Sequence, residues 1–113
     1  MTELEKELNT ARELGKVVMF DLYADWCVAC KEFEKYTFTD PTVQQQLSQF
    51  HMLQIDMTKT NADDLAVMEK YDVLGLPTIM FFDVNGTELT QLRVTGFQNA
   101  KQFSAHLTKI SKP

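Results

Sequence analysis

Apolar residues recur along this chain with two different periods, and the changes between them mark out its elements. Leu4, Leu8, Ala11 and Leu14 fall at helical spacing and predict a helix over residues 3–14. Thr2 and Glu5 have the spacing of a capping box at its start, and Gly15 ends it. Val17 to Tyr23 is a mostly apolar run, which suits a strand buried on both faces. A helix then begins near Cys27 and carries Phe33 on its inner side. Asp40-Pro41 reads as an N-cap followed by proline at the first helical position, opening a segment that runs to about Ser48. Phe50 to Met57 is the second strand, and Asn61 caps a helix bearing Leu65, Met68 and Tyr71. Thr78 to Phe82 is the third strand. Asn85-Gly86 between it and Glu88 to Val94 is a hairpin signal. Asn99 with Gln102 opens a last amphipathic helix through Phe103, Leu107 and Ile110.

Strands that alternate with helices give a parallel portion of sheet, and the hairpin adds an antiparallel edge. The class is α/β, with helices on both faces. At 113 residues the chain fits one domain spanning 1–113 and can bury a core without staples. No repeat, low-complexity tract or linker divides it. The formal net charge of -5 argues against nucleic acid, which rewards clustered Lys and Arg. Basic membrane-binding patches are equally missing from the sequence. No stretch approaches the roughly 20 apolar residues of a membrane span. The first residues are acidic and do not resemble a signal peptide. A start inside a helical pattern suits a fragment of a longer chain.

The chemistry concentrates at Trp26-Cys27-Val28-Ala29-Cys30. Two cysteines at this spacing cannot brace a scaffold, but after a buried strand and at a helix start they read as a redox motif. The spacing brings both sulfurs into the first helical turn. Cys27 lies where free N–H groups and the helix dipole favour a thiolate. Cys30, one turn in, is expected to be the more buried and to resolve a mixed disulfide formed on Cys27. Zinc is the competing use of such a pair, but structural zinc takes four ligands, and His51 and His106 are isolated in the sequence. Two inert core cysteines are the other alternative. Met19, Met57, Met68 and Met80 fall on core-like faces and read as packing.

Asp21-Leu22-Tyr23-Ala24-Asp25-Trp26-Cys27 through Cys30, with Gly75-Leu76-Pro77-Thr78 downstream, resembles the thioredoxin superfamily over nearly the whole chain. Val28-Ala29 between the cysteines, Lys31 to Glu34, Val73-Leu74 and Val94 to Phe97 narrow the likeness to the C-terminal domain of the DsbD family of transmembrane thiol:disulfide interchange proteins. The resemblance implies a thioredoxin fold with a mixed sheet of four to five strands. It also implies a periplasmic domain of a bacterial inner-membrane protein, monomeric when isolated and not itself inserted in the membrane. Its membrane-embedded domain would supply electrons, and the N-terminal periplasmic domain would receive them. From there they would pass to disulfide isomerases and cytochrome c maturation. The only redox group implied is the Cys27–Cys30 disulfide, with no cofactor and no metal.

The same resemblance carries Asp21 and Glu34 over as carboxylates near the cysteines, with solvated positions as the plain alternative. It makes Pro77 a cis proline facing the disulfide, with Leu76 pairing a substrate strand. Trp26, Tyr23 and Phe97 are the expected docking surface, a core Trp26 being the alternative. Thioredoxin commonly pairs its buried aspartate with a lysine. The corresponding position on the neighbouring strand holds Met52, so Asp21 is expected to lack a cationic partner and burial to raise its pKa. Two carboxylates also oppose a Cys27 thiolate, which suits a reductant kept quiet until a partner docks. An oxidase or isomerase, or a binding domain that kept the fold without the chemistry, are the other readings.

Overall fold

The computed structural model describes residues 3–110. Helix α1 spans Glu3–Leu14, and Gly15 turns the chain with φ +68°. Strand β1 (Val18–Tyr23) leads to Cys27, which caps α2 (Val28–Glu32); a π-helical turn over Phe33–Thr37 continues it. Next come α3 (Pro41–Leu47), β2 (His51–Asp56), α4 (Ala62–Lys70) and β3 (Thr78–Phe82). A 3₁₀ turn at Thr90–Leu92 and helix α5 (Ala100–Ile110) complete the described chain. The Thr2 half of the expected capping box lies outside the described residues.

The sheet has the order β2-β1-β3, with β1 parallel to β2 and antiparallel to β3. Its central strand is buried because both faces are covered. One face packs Met19, Ile79 and Phe81 against Phe33, Val43, Phe103 and Leu107. The other packs Phe20, Leu22, Met80 and Phe82 against Ala11, Met57 and Val73. β3 is buried at every residue, whereas edge strand β2 alternates between half-buried and exposed.

Three expectations change. The four- to five-stranded sheet has three strands among the described residues. The segment Glu88–Val94 contributes only single bridges, Phe82 to Glu88 and Ile79 to Val94. Its side chains explain why. Leu89 and Leu92 both pack on the core. Residues three apart share a face in a 3₁₀ turn but lie on opposite faces of a strand. Leu65, expected inward, is exposed, because α4 turns Asp64, Val67, Met68 and Tyr71 toward the protein instead. Leu14 is exposed at the end of α1.

The predicted caps form. Asp40 Oδ2 accepts from Val43 N–H at 3.1 Å, with Pro41 starting α3. Asn61 and Asp64 exchange bonds across the first turn of α4, as do Asn99 and Gln102 at α5. Asp40→Ala is expected to lower stability by about 1 kcal/mol, the usual cost of a lost N-cap, read from the urea midpoint.

Candidate redox site

Strand β1 ends in a short turn that brings Cys27 to the start of α2. Cys27 keeps an extended backbone, φ -91° and ψ 110°, as an N-cap does. Its side chain takes the capping role: Cys30 N–H donates to Cys27 Sγ at 3.1 Å. One of the helix's free donors is thereby directed at sulfur, where it stabilises negative charge. Cys27 and Cys30 are joined by a disulfide, with Cα atoms 5.2 Å apart. The expected contrast in burial is slight, since both residues are buried, at 6% and 4% exposure. Ala24 completes the buried cluster, with Tyr23, Ala29 and Leu76 packed against it.

The π turn follows directly. Phe38 N–H reaches back to Phe33 O at 2.8 Å, and Thr37, fully buried, donates its hydroxyl to Gln98 O at 2.6 Å. Phe33 anchors this bend, stacked on Phe38 and edge-on to Phe97 and Phe103. The active-site helix is thus tied to the segment that carries Phe97, which is itself 36% exposed.

The other anticipated residues fall in three groups. Leu76 lies against the cysteine cluster, and the Leu76–Pro77 bond is cis, with Pro77 buried. Trp26 is 59% exposed, which excludes a core role, and its indole N–H donates to Thr58 O at 3.1 Å. Asp21 is buried in the sheet, while Glu34 is exposed on the π turn beside Lys31, at 4.0 Å.

Asp21 has no cationic partner among its described contacts, and the residue opposite it in the sheet is not Met52. Met52 pairs with Met19 in the parallel register; Asp21 pairs with Gln54. The Gln54 amide donates to Asp21 Oδ2 at 3.3 Å. Burial pushes the Asp21 carboxyl up to about 6, the Gln54 hydrogen bond pulls it down, and the Glu34 charge adds to the rise. Tyr23 is also raised, by partial burial first and then by the carboxylates of Asp56, Glu34, Asp21 and Asp25.

Sequence reasoning missed Gln54 and Thr58. Thr58 accepts from Trp26 at its carbonyl and from Asp25 N–H at its hydroxyl, and bonds to Asp56. It thus ties the loop after β2 to the turn before Cys27. Among the described residues no group of three or more His, Cys, Asp or Glu side chains is placed to hold a metal. His51 bonds Glu7, and His106 bonds Leu92 O, both away from the cysteines. No described helix is long and apolar enough to cross a membrane.

Comparison with known proteins agrees with this geometry. A family model described as a thioredoxin-like domain matches residues 4–111. The chain is 62% identical over 110 residues to the thiol:disulfide interchange protein DsbD of Haemophilus ducreyi, covering 97% of this chain and 19% of that protein. The chain therefore spans about a fifth of the length of the curated relatives it matches. The crystal structure of the DsbD C-terminal domain of Neisseria meningitidis in its reduced form matches with a TM-score of 0.82 at 30% identity, over 94% of this chain and 92% of that one. The oxidised form of the same domain matches with a TM-score of 0.83.

Proposed function

We propose, since this chain belongs to the thioredoxin-like family as a C-terminal domain of the DsbD type, that it is a protein-disulfide reductase cycling Cys27 and Cys30 between dithiol and disulfide. One observation carries the reading: Cys27 Sγ caps the active-site helix, receives the Cys30 N–H, and is bonded to the cysteine one turn behind it.

The exchange balances in two steps. The Cys27 thiolate of the reduced protein attacks one sulfur of a partner disulfide; the other partner sulfur leaves as a thiolate and takes a proton. Cys30, deprotonated, then attacks Cys27 Sγ. The Cys27–Cys30 bond forms, the second partner sulfur leaves as a thiol, and two electrons have passed to the partner. Asp21 is the proton acceptor for Cys30 and, in the reverse direction, its donor; a carboxyl raised to about 6 suits both roles near neutral pH. Burial is what chiefly keeps that carboxyl from ionising early, and the Glu34 charge adds to it. Leu76 and Pro77 present backbone to the partner's strand, while Trp26, Tyr23 and Phe97 form the docking face.

Residues 1–113 act on this reading as one domain of a longer membrane protein. Its membrane-embedded part reduces Cys27–Cys30, and its N-terminal periplasmic domain takes the electrons. The small share of the relatives' length that this chain spans supports the arrangement. The variant Cys30→Ala tests it, because it can form the mixed disulfide but cannot resolve it. Expressed within the full-length protein, it is expected to accumulate a Cys27-linked adduct with the N-terminal domain, visible on non-reducing gels. Adducts to unrelated proteins alone would remove the relay.

A further inference from the structure

We propose that Arg93 is a positioning residue for the reduction of protein disulfides: its ion pair with Glu88 holds the start of the loop that faces Cys27. The inference rests on the reading of Cys27 as the nucleophile toward a docked protein.

That loop leaves α4 at Tyr71 and enters β3 at Thr78. Its far end is well placed, since Leu76 packs on the cysteine cluster, Pro77 is buried, and the Thr78 hydroxyl donates to Gly75 O at 2.7 Å. The middle is open: Leu74 is 94% exposed, and Gly75 has no atom near the space a side chain would fill. A loop with an open middle depends on how its near end is gripped, and there one guanidinium adds to the backbone bonds that close α4 and to the burial of Val73. Arg93 Nη2 donates to Tyr71 O at 2.8 Å and Nη1 to Asp72 O at 3.4 Å. Its Nε and Nη2 also fork onto the Glu88 carboxylate at 2.9 and 2.8 Å. Both side chains are largely buried, 18% and 12% exposed, which sets the pair apart from the exposed pairs Lys31–Asp25 and Lys70–Glu5.

The closing turn of α4 holds Asp72 at φ +55°, with Asp72 N–H on Glu69 O and Val73 N–H on Met68 O, and Arg93 adds its bonds to that formed cap. Two features connect this grip to docking rather than to folding alone. The next residue after Arg93, Val94, exchanges both backbone bonds with Ile79 of β3. Arg93 therefore refers the loop to the same strand that follows Pro77. Between them lies a groove of about 500 Å³ that opens along Leu74–Leu76 on one side and Arg93 and Thr95 on the other. A partner chain lying across Leu76 meets a wall whose position Arg93 sets. Lysine cannot take the same place, because a point charge cannot serve a carboxylate fork and two carbonyls in one plane.

Kinetics with two substrates test this, using insulin as the protein disulfide and 5,5′-dithiobis(2-nitrobenzoate) as a small disulfide that needs no docking loop. Arg93→Gln and Arg93→Lys are each expected to raise KM for insulin by about tenfold, with kcat, redox potential and the small-disulfide rate within about twofold of the parent. Arg93→Lys decides the matter if Arg93→Gln does not fold. An unchanged insulin KM in a folded variant overturns the proposal, as does an equal loss toward both disulfides, which marks a purely structural brace. A parent protein inert toward both disulfides would defeat the exchange reading itself, and is distinguishable from either result.

Discussion

Cys27→Ser is expected to reduce protein disulfides no faster than buffer alone while remaining folded. The sulfur at position 27 is the atom that the helix start serves, through the Cys30 N–H at 3.1 Å. A hydroxyl there keeps a capping oxygen and loses the sulfur placed to form a mixed disulfide. Cys30 is not expected to substitute, since it lies inside the first turn of α2 and its own N–H is directed at position 27. The structural loss is small by comparison. The disulfide closes a loop with a sequence separation of 3. Chain entropy gives so short a loop about 2 kcal/mol, and the aromatic core around Phe33 does not involve the bond. Insulin reduction alongside a urea melt checks both halves. Retained turnover in Cys27→Ser would mean that the pair is not the electron carrier.

Asp21→Asn is expected to make the protein more stable above neutral pH by up to about 3 kcal/mol. That figure is the free-energy equivalent of a carboxyl raised by burial from 3.8 to about 6. The sign follows from which state holds the proton more tightly. Folded Asp21 does, so its contribution is fully present below about pH 4 and is lost as pH rises through about 6. Asparagine has no charge to desolvate and keeps an oxygen to accept from Gln54. Parent and variant are therefore expected to converge near pH 3 and to separate by pH 8 in thermal melts of the oxidised proteins. The same substitution removes the proton acceptor assigned to Cys30. The resolving step is expected to slow, and the limb of the pH–rate profile near 6 to vanish. Equal stability at pH 8 would show that Asp21 is ionised without penalty in the folded protein.

Much of this was legible because the local signals are strong. Asp40-Pro41, Asn61 and Asn99 each placed a helix start correctly, since a capping side chain and its target lie within one turn. The cysteine pair was legible for the same reason. What failed depended on partners distant in the chain. Glu88–Val94 reads as the second arm of a hairpin after Asn85-Gly86, yet Leu89 and Leu92 are drawn to one core face and bend it into a 3₁₀ turn. Gln54 opposite Asp21 was not legible, because strand register is decided by packing and only the fold shows the pair. The π turn after α2, which ties Thr37 to Gln98, has no clear sequence signature.

The central claim is that Cys27 and Cys30 form a reversible two-electron couple poised to reduce. Equilibrating the protein in dithiothreitol buffers of graded potential, then trapping free thiols with an alkylating agent and weighing the products, measures that couple directly. A single transition in which both cysteines are alkylated together, nearer the thioredoxin value of roughly -270 mV than the DsbA value of roughly -120 mV, is the predicted result. A transition near the DsbA value, or cysteines that titrate independently, would contradict it.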